Sequence, residues 1–289
     1  MVKKVLLDTD IGSDIDDAVC LAYLLCNPEC KLEGITTVSG QPLERAMLCD
    51  ALCKAAKKNV PIRAGTANPM IIGNKQPSAP QAETLPNHPH DVYTDENTAV
   101  EFMRDVIYKN PGEIILLSIG PTTNVGLLFA TYPKAAGLLA GYTLMCGDFI
   151  RESRGMEWNA ICDPHACRIA YDARVKFHRS VGLNVTTKVT MAADEVRRRF
   201  KHPVLKVVAD FAEVWFRRGD TITFHDPLAG VGIFDENVMD FERGAVRVEL
   251  GAEDELGRTT FVKDAGGPCE VASDVYPDVF FKSYFSVFE

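Results

Sequence analysis

Two rhythms of apolar residues alternate along the first two thirds of the chain. Short, nearly continuous apolar runs at residues 5–8, 32–38, 62–65, 113–119 and 142–146 have the length of buried strands. Between them lie stretches with a 3.6-residue period, predicting helices over 17–26, 43–57 and 96–109 and others starting near Thr123 and Pro164. A further strand is predicted at 181–185, helices at 194–200, 204–218 and 226–234, and an added hairpin pairing 245–250 with 258–262. Strands apolar throughout, alternating with helices, call for an open, mostly parallel α/β sheet with helices on both faces. No internal repeat or linker composition interrupts the chain, so residues 1–289 are read as one domain. Ligands of such sheets bind at the carboxyl ends of the strands.

One segment breaks the rhythm. Residues 66–95 carry prolines at 69, 77, 80, 86 and 89 without sustained periodicity, and a loop of that length in a compact domain is functional or disordered.

Composition narrows the classes. With 31 basic and 40 acidic residues the net charge is −9, and no basic run is present to neutralise a phosphate backbone, so nucleic acid is not an expected partner. No stretch approaches the roughly 18 apolar residues of a membrane span. The first ten residues, MVKKVLLDTD, lack the apolar core of an export signal, and none of the nine cysteines forms a Cys-x-x-Cys pair. A reducing cytoplasmic setting is expected.

The densest chemistry is Asp8-Thr9-Asp10-Ile11-Gly12-Ser13-Asp14-Ile15-Asp16-Asp17, five aspartates in ten residues between a buried strand and a helix. Helix capping accounts for one of them. Carboxylates this crowded repel one another unless a cation sits among them, and carboxylate oxygens are the ligands of hard divalent metals. An EF-hand loop counted from Asp8 requires Glu at its twelfth position, where Val19 stands. A phosphatase of the Asp-x-Asp type, with Asp8 as nucleophile and Asp10 as acid/base, expects Thr or Val two places after the second Asp, where Gly12 stands.

The same segment resembles the amino-terminal motif of the nucleoside hydrolases of the inosine-uridine-preferring type, Asp-x-Asp-x-Gly-x-Asp-Asp. The resemblance continues in order through Gly120-Pro121-Thr122-Thr123-Asn124, Met145-Cys146-Gly147, Glu157-Trp158-Asn159, Asp163-Pro164 and His225-Asp226-Pro227. It implies a Rossmann-like nucleoside hydrolase fold and calcium-dependent hydrolysis of the N-glycosidic bond of a ribonucleoside. By the resemblance, Asp10, Asp17 and Asp226 bind calcium through carboxylates and Thr123 through its backbone carbonyl. Asp10 deprotonates the attacking water, and the ribose passes through an oxocarbenium-like transition state. Asp16, Glu157 and Asn159 match ribose-binding positions, Met145 matches a further substrate-binding position, and His225 is the candidate proton donor to the departing base. The resemblance also implies a homodimer or homotetramer.

Departures from the pattern mark open points. Two extra residues in the first motif leave Asp14 without a counterpart, as a further metal ligand or a helix cap. Gln41 follows Gly40 where an Asn near the water is usual, and Arg151 falls near the expected contact to the 5′ end of the sugar. Trp158, Trp215, Tyr93 and Phe149 are the possible base-stacking aromatics, and purine or pyrimidine preference is not legible. The rival readings are the magnesium-dependent phosphatase and a non-catalytic, calcium-assisted ribose-binding protein.

Overall fold

The computed structural model describes residues 2–149 and 156–289. Arg151 lies outside the described residues. Eleven strands are present among these: β1 (Lys3–Thr9), β2 (Cys30–Thr37), β3 (Ile62–Ala64), β4 (Ile114–Ser118), β5 (Gly141–Met145), β6 (His178–Val181), β7 (Thr190–Ala192), β8 (Thr221–Thr223), β9 (Met239–Val248), β10 (Thr259–Lys263) and β11 (Cys269–Val275). Nine of them form one sheet in the order β10-β9-β11-β6-β5-β4-β1-β2-β3, parallel from β3 through to β11. β9 and β10 run antiparallel at one edge, and β7 and β8 make a separate pair.

The period-2 geometry of a strand explains the nearly unbroken apolar runs. In β1, Val5 and Leu7 join one core while Leu6 joins the other, because successive side chains leave the sheet on opposite faces and both faces are covered. Helices Asp16–Cys26, Pro42–Ala55, Pro203–Trp215, His225–Val231 and Pro277–Ser286 cover the first face, and Ala99–Lys109, Thr123–Thr131 and Pro164–Asp172 the second. Each wholly buried Leu contributes about 1.5–3 kcal/mol of transfer free energy. Polar residues place the helix starts: Asp163 Oδ1 accepts from Ala166 N at 3.1 Å, with Pro164 in the first turn where its missing N–H costs nothing.

Two expectations need correction, and one open alternative is decided. The strand predicted at 181–185 is β6, ending at Val181; Gly182 is extended and 183–186 turns into a short helix, Leu183–Thr186, since the three apolar residues Val181, Leu183 and Val185 are too few to fix a period. The hairpin is not an appendage. β11, which the pattern did not predict, lies between β9 and β6 and welds the hairpin into the main sheet. The Pro-rich segment is ordered, with a 3-10 helix at Pro80–Asn87. No helix among the described residues is long and apolar enough to cross a membrane.

β1 pairs with β2 on one side and β4 on the other, so the chain winds outward in both directions from the β1/β4 junction. The chain leaves these two strands toward opposite faces of the sheet, into helices Asp16–Cys26 and Thr123–Thr131, and a crevice opens between the connections, where α/β sheets bind ligands.

Candidate active site

A cleft of about 630 Å³ opens at that crevice. Its floor is the turn after β1. Asp16 and Asp17 occupy the first turn of helix Asp16–Cys26, and Asp226 the first turn of the neighbouring helix His225–Val231. Ligand oxygens of Asp16, Asp17 and Asp226 lie within 4.8 Å of one another, all three side chains buried. Asp16 Oδ2 accepts from Asp226 N at 3.1 Å, and Asp17 Oδ1 accepts from Thr9 Oγ1 at 2.5 Å and Asp10 N at 3.2 Å. Burial and mutual repulsion raise the pKa of all three carboxyls well above the ordinary value. Such a group of repelling, desolvated oxygen donors, with no nitrogen or sulfur ligand among them, fits a hard divalent cation.

Asp10 stands beside the trio and lines the cleft, so the convergent set contains Asp16 where the sequence pointed to Asp10. Its Oδ2 accepts from Gln76 Nε2. Gly120 flanks it: a Cβ there would stand 2.6 Å from Asp10 Oδ1, so only glycine lets the strand ends approach so closely. Thr123 is buried, its Oγ1 donating to Asp163 Oδ2 at 2.8 Å, and its side chain does not line the cleft.

The opposite wall is built by the cap of helix Trp158–Cys162. Glu157 takes Asn159 N (2.7 Å) on Oε1, and Gly147 N (3.1 Å) and Ala160 N (3.0 Å) on Oε2. Burial raises its pKa while these backbone donors oppose the shift. Asn159 Nδ2 donates to the carbonyls of Ile119 (2.9 Å) and Met145 (3.1 Å). With both amide hydrogens used, its oxygen is the atom left to accept from a ligand. Met145 lines the cleft between these groups.

His225 faces the cleft with Nδ1 2.7 Å from Thr186 Oγ1, and burial lowers its pKa to about 4. Both tryptophans of the chain, Trp158 and Trp215, line the cleft; Tyr93 and Phe149 pack into the cores instead. Asp14 lines the cleft and also accepts from Ile15 N at 2.6 Å, its carboxyl raised by burial to about 6.

Two placements differ from expectation. Gln41 is exposed and outside the cleft lining, its Oε1 accepting from Ala79 N at 2.8 Å; it ties down the Pro-rich segment instead of meeting a ligand. Gln76, from that segment, reaches Asp10. Asp8 is wholly buried, with Oδ1 accepting from Thr36 Oγ1 (2.6 Å) and Asn124 Nδ2 (2.8 Å), and burial pushes its carboxyl up to about 7. A nucleophile cannot act from there, which removes the Asp-x-Asp phosphatase geometry.

Arg45 is the other residue that sequence reasoning missed. Wholly buried beneath the acidic turn, it donates through Nη1 to the carbonyls of Asp10 and Ile11 and to Ser13 Oγ, through Nε to Ser39 O and through Nη2 to Ser78 O. Its charge offsets those of Asp10 and Asp17. The signal was a guanidinium on the buried stripe of helix Pro42–Ala55, in phase with Leu48, Cys49 and Leu52.

A family profile described as inosine-uridine preferring nucleoside hydrolase matches residues 5–282. The inosine-uridine preferring nucleoside hydrolase of Leishmania major is 30% identical over 278 residues, spanning 90% of this chain and 87% of that protein. A probable uridine nucleosidase 2 of Oryza sativa subsp. japonica is 29% identical over 273 residues, spanning 86% of this chain and 78% of its own length. Among solved structures, a purine-preferring ribonucleoside hydrolase from Gardnerella vaginalis superposes with a TM-score of 0.83 at 21% identity, covering 99% of this chain and 98% of that one.

Proposed function

The chain belongs to the inosine-uridine preferring nucleoside hydrolase family, and from that premise we propose that its cleft hydrolyses the N-glycosidic bond of a ribonucleoside to ribose and free base with a bound calcium ion. The observation that carries this reading is the convergence of Asp16, Asp17 and Asp226 beside Asp10, facing an amide and a carboxylate suited to sugar hydroxyls.

In this reading Asp17 and Asp226 of the convergent trio would hold the ion, with Asp10 beside them and the backbone carbonyl of Thr123 completing the set that the family resemblance implies. Calcium suits the set because it accepts many carboxylate and carbonyl oxygens in flexible geometry. Bound there, the ion supplies Lewis-acid polarisation to the attacking water and the sugar.

The protein's own groups do the rest. Asp10 removes the proton from water as it attacks the anomeric carbon, and its bond from Gln76 favours the ionised carboxylate that this task needs. Asn159 accepts from a ribose hydroxyl, and Asp16 uses the oxygen not bonded to Asp226 N for another. Glu157, fixed by three backbone N–H groups, adds a rigid acceptor and negative potential against the cationic sugar of the transition state. The base is stacked by Trp158 and Trp215. Burial keeps His225 neutral near pH 7, and in the tautomer that accepts from Thr186 Oγ1 on Nδ1 its Nε2–H would offer a hydrogen bond to the charge growing on the departing base.

A reducing-sugar assay over inosine, adenosine, guanosine, uridine and cytidine tests the reading and reports the base preference. Ribose released from at least one of them is the expected result. Binding without release would instead establish a nucleoside-binding protein. The same reading has the chain act in the cytoplasm as a homodimer or homotetramer, which light scattering after size exclusion and cell fractionation check.

A further inference from the structure

A chain of hydrogen bonds runs from the rim of the cleft to its general base. Gln76 is 8% exposed and belongs to the Pro-rich segment rather than to a sheet or helix. Its Nε2 donates to Asp10 Oδ2, and its Oε1 accepts from Trp158 Nε1 at 2.5 Å. On the far side, Asp10 Oδ1 abuts Gly120. Both oxygens of the carboxylate are therefore constrained.

The chemistry of the three groups gives this chain a direction. An indole N–H only donates, an ionised carboxylate only accepts, and a primary amide does either. Trp158 therefore decides which end of the Gln76 amide faces Asp10. With the indole bond made, the NH2 group meets Asp10; with the amide turned over, its oxygen would face a carboxylate oxygen and repel it. The segment is seated to hold this arrangement. Asn74 Oδ1 accepts from Gln76 N at 2.7 Å, Asn74 Nδ2 donates to Ala67 O at 2.7 Å, and Ser39 Oγ donates to Gln76 O at 3.4 Å. Gly40, at φ +28°, sits where a Cβ would come 2.3 Å from the Gln76 carbonyl oxygen, so the docking point admits only glycine.

We propose that Gln76, oriented by Trp158, is the positioning residue for the carboxylate of Asp10, so that the Pro-rich segment supplies part of the catalytic apparatus while contributing no metal ligand. The proposal rests on Asp10 being the base of ribonucleoside hydrolysis. Trp158 is 48% exposed at the cleft, so a nucleoside seated against it covers the indole and removes water from the same chain of bonds.

Initial rates of the calcium-loaded enzyme on its best ribonucleoside test this. Gln76→Met is expected to lower kcat by about 10-fold to 100-fold with KM within about three-fold, because the loss falls on the transition state rather than on binding. Gln76→Glu has the same shape and keeps an acceptor for Trp158, but sets a carboxylate against Asp10; an equal or larger fall in kcat is expected. Trp158→Phe keeps an aromatic face and removes only the donor, and it too lowers kcat. The double variant Trp158→Phe/Gln76→Met should be no slower than Gln76→Met alone, since residues acting in one chain are non-additive. Additive losses, or wild-type kcat in Gln76→Met, would overturn the proposal. Should Gln76→Met fail to fold by circular dichroism, the same cycle run with Gln76→Glu decides. A wild-type enzyme that releases ribose from no ribonucleoside refutes the hydrolase reading instead, a result distinct from any outcome of the cycle.

Discussion

His178 should make the fold sensitive to acid in a way one substitution removes. It opens β6 as an internal strand residue, 2% exposed, with its ring 5.0 Å from that of Tyr142 and 5.8 Å from that of Tyr171. Neither ring nitrogen has a hydrogen-bond partner. Desolvation alone lowers its pKa to about 4. In the unfolded chain the imidazole titrates near 6.5, so below that pH the unfolded state binds a proton that the folded state refuses. The stability this group permits is therefore whole above about pH 6.5 and drains away as pH falls toward the folded value. A shift of that size corresponds to about 2 kcal/mol lost by about pH 5 and about 3 kcal/mol by about pH 4. Urea unfolding of wild type and His178→Phe at several pH values between about 7.5 and 4 provides the comparison. Packing differences displace the two curves by a constant, whereas the histidine appears as a difference in slope confined to that window, and the carboxylates cancel because both proteins carry them. Parallel curves would refute the reasoning and mean that the protonated ring finds a partner or water inside the sheet.

Three further outcomes follow from the site. Prolonged chelation should abolish ribose release and lower the melting temperature, with calcium restoring both, because a ligand of the folded state stabilises it by about 2.7 kcal/mol at a hundredfold excess over Kd; full activity in protein shown metal-free by elemental analysis would dismiss the metal. Gly120→Ala places a methyl against Asp10 Oδ1 and should cost about 10²-fold in kcat through misplacement of the base, while undiminished turnover would show that Asp10 moves freely. Arg45→Met should destabilise by about 3–5 kcal/mol in urea unfolding, since it strips a buried charge from the carbonyls and carboxylates it serves; a loss below about 1 kcal/mol would mean that water replaces the guanidinium.

What the chain disclosed before its structure was known follows from which interactions are local. The β/α alternation was readable because parallel strands covered on both faces carry unbroken apolar runs, as in β1 and β4. β11 escaped because its partly exposed Cys-Glu-Val-Ala-Ser-Asp-Val pattern gains its place only by lying between β6 and β9. The acidic turn was legible because five aspartates in ten residues are costly wherever they fold. Gln76 was not, as a glutamine among prolines acquires meaning only once Asn74 and Gly40 seat the segment over Asp10. Gln41 shows the converse: its place in the motif, after Gly40, did not bring its side chain into the cleft.

The sheet also dictates when the site can exist during synthesis. Helix Pro277–Ser286 packs on the helix that carries Asp16 and Asp17: Tyr284 stacks on Tyr23, and its hydroxyl donates to Val19 O at 3.0 Å across 265 positions of chain. β11 completes the sheet only after β9 and β10 have been made. On a ribosome the acidic turn is therefore made some 265 residues before the helix that braces it. A chain cut short before Pro277 lacks Phe280 and Tyr284, and the apolar back of the helix that carries Asp16 and Asp17 loses its cover.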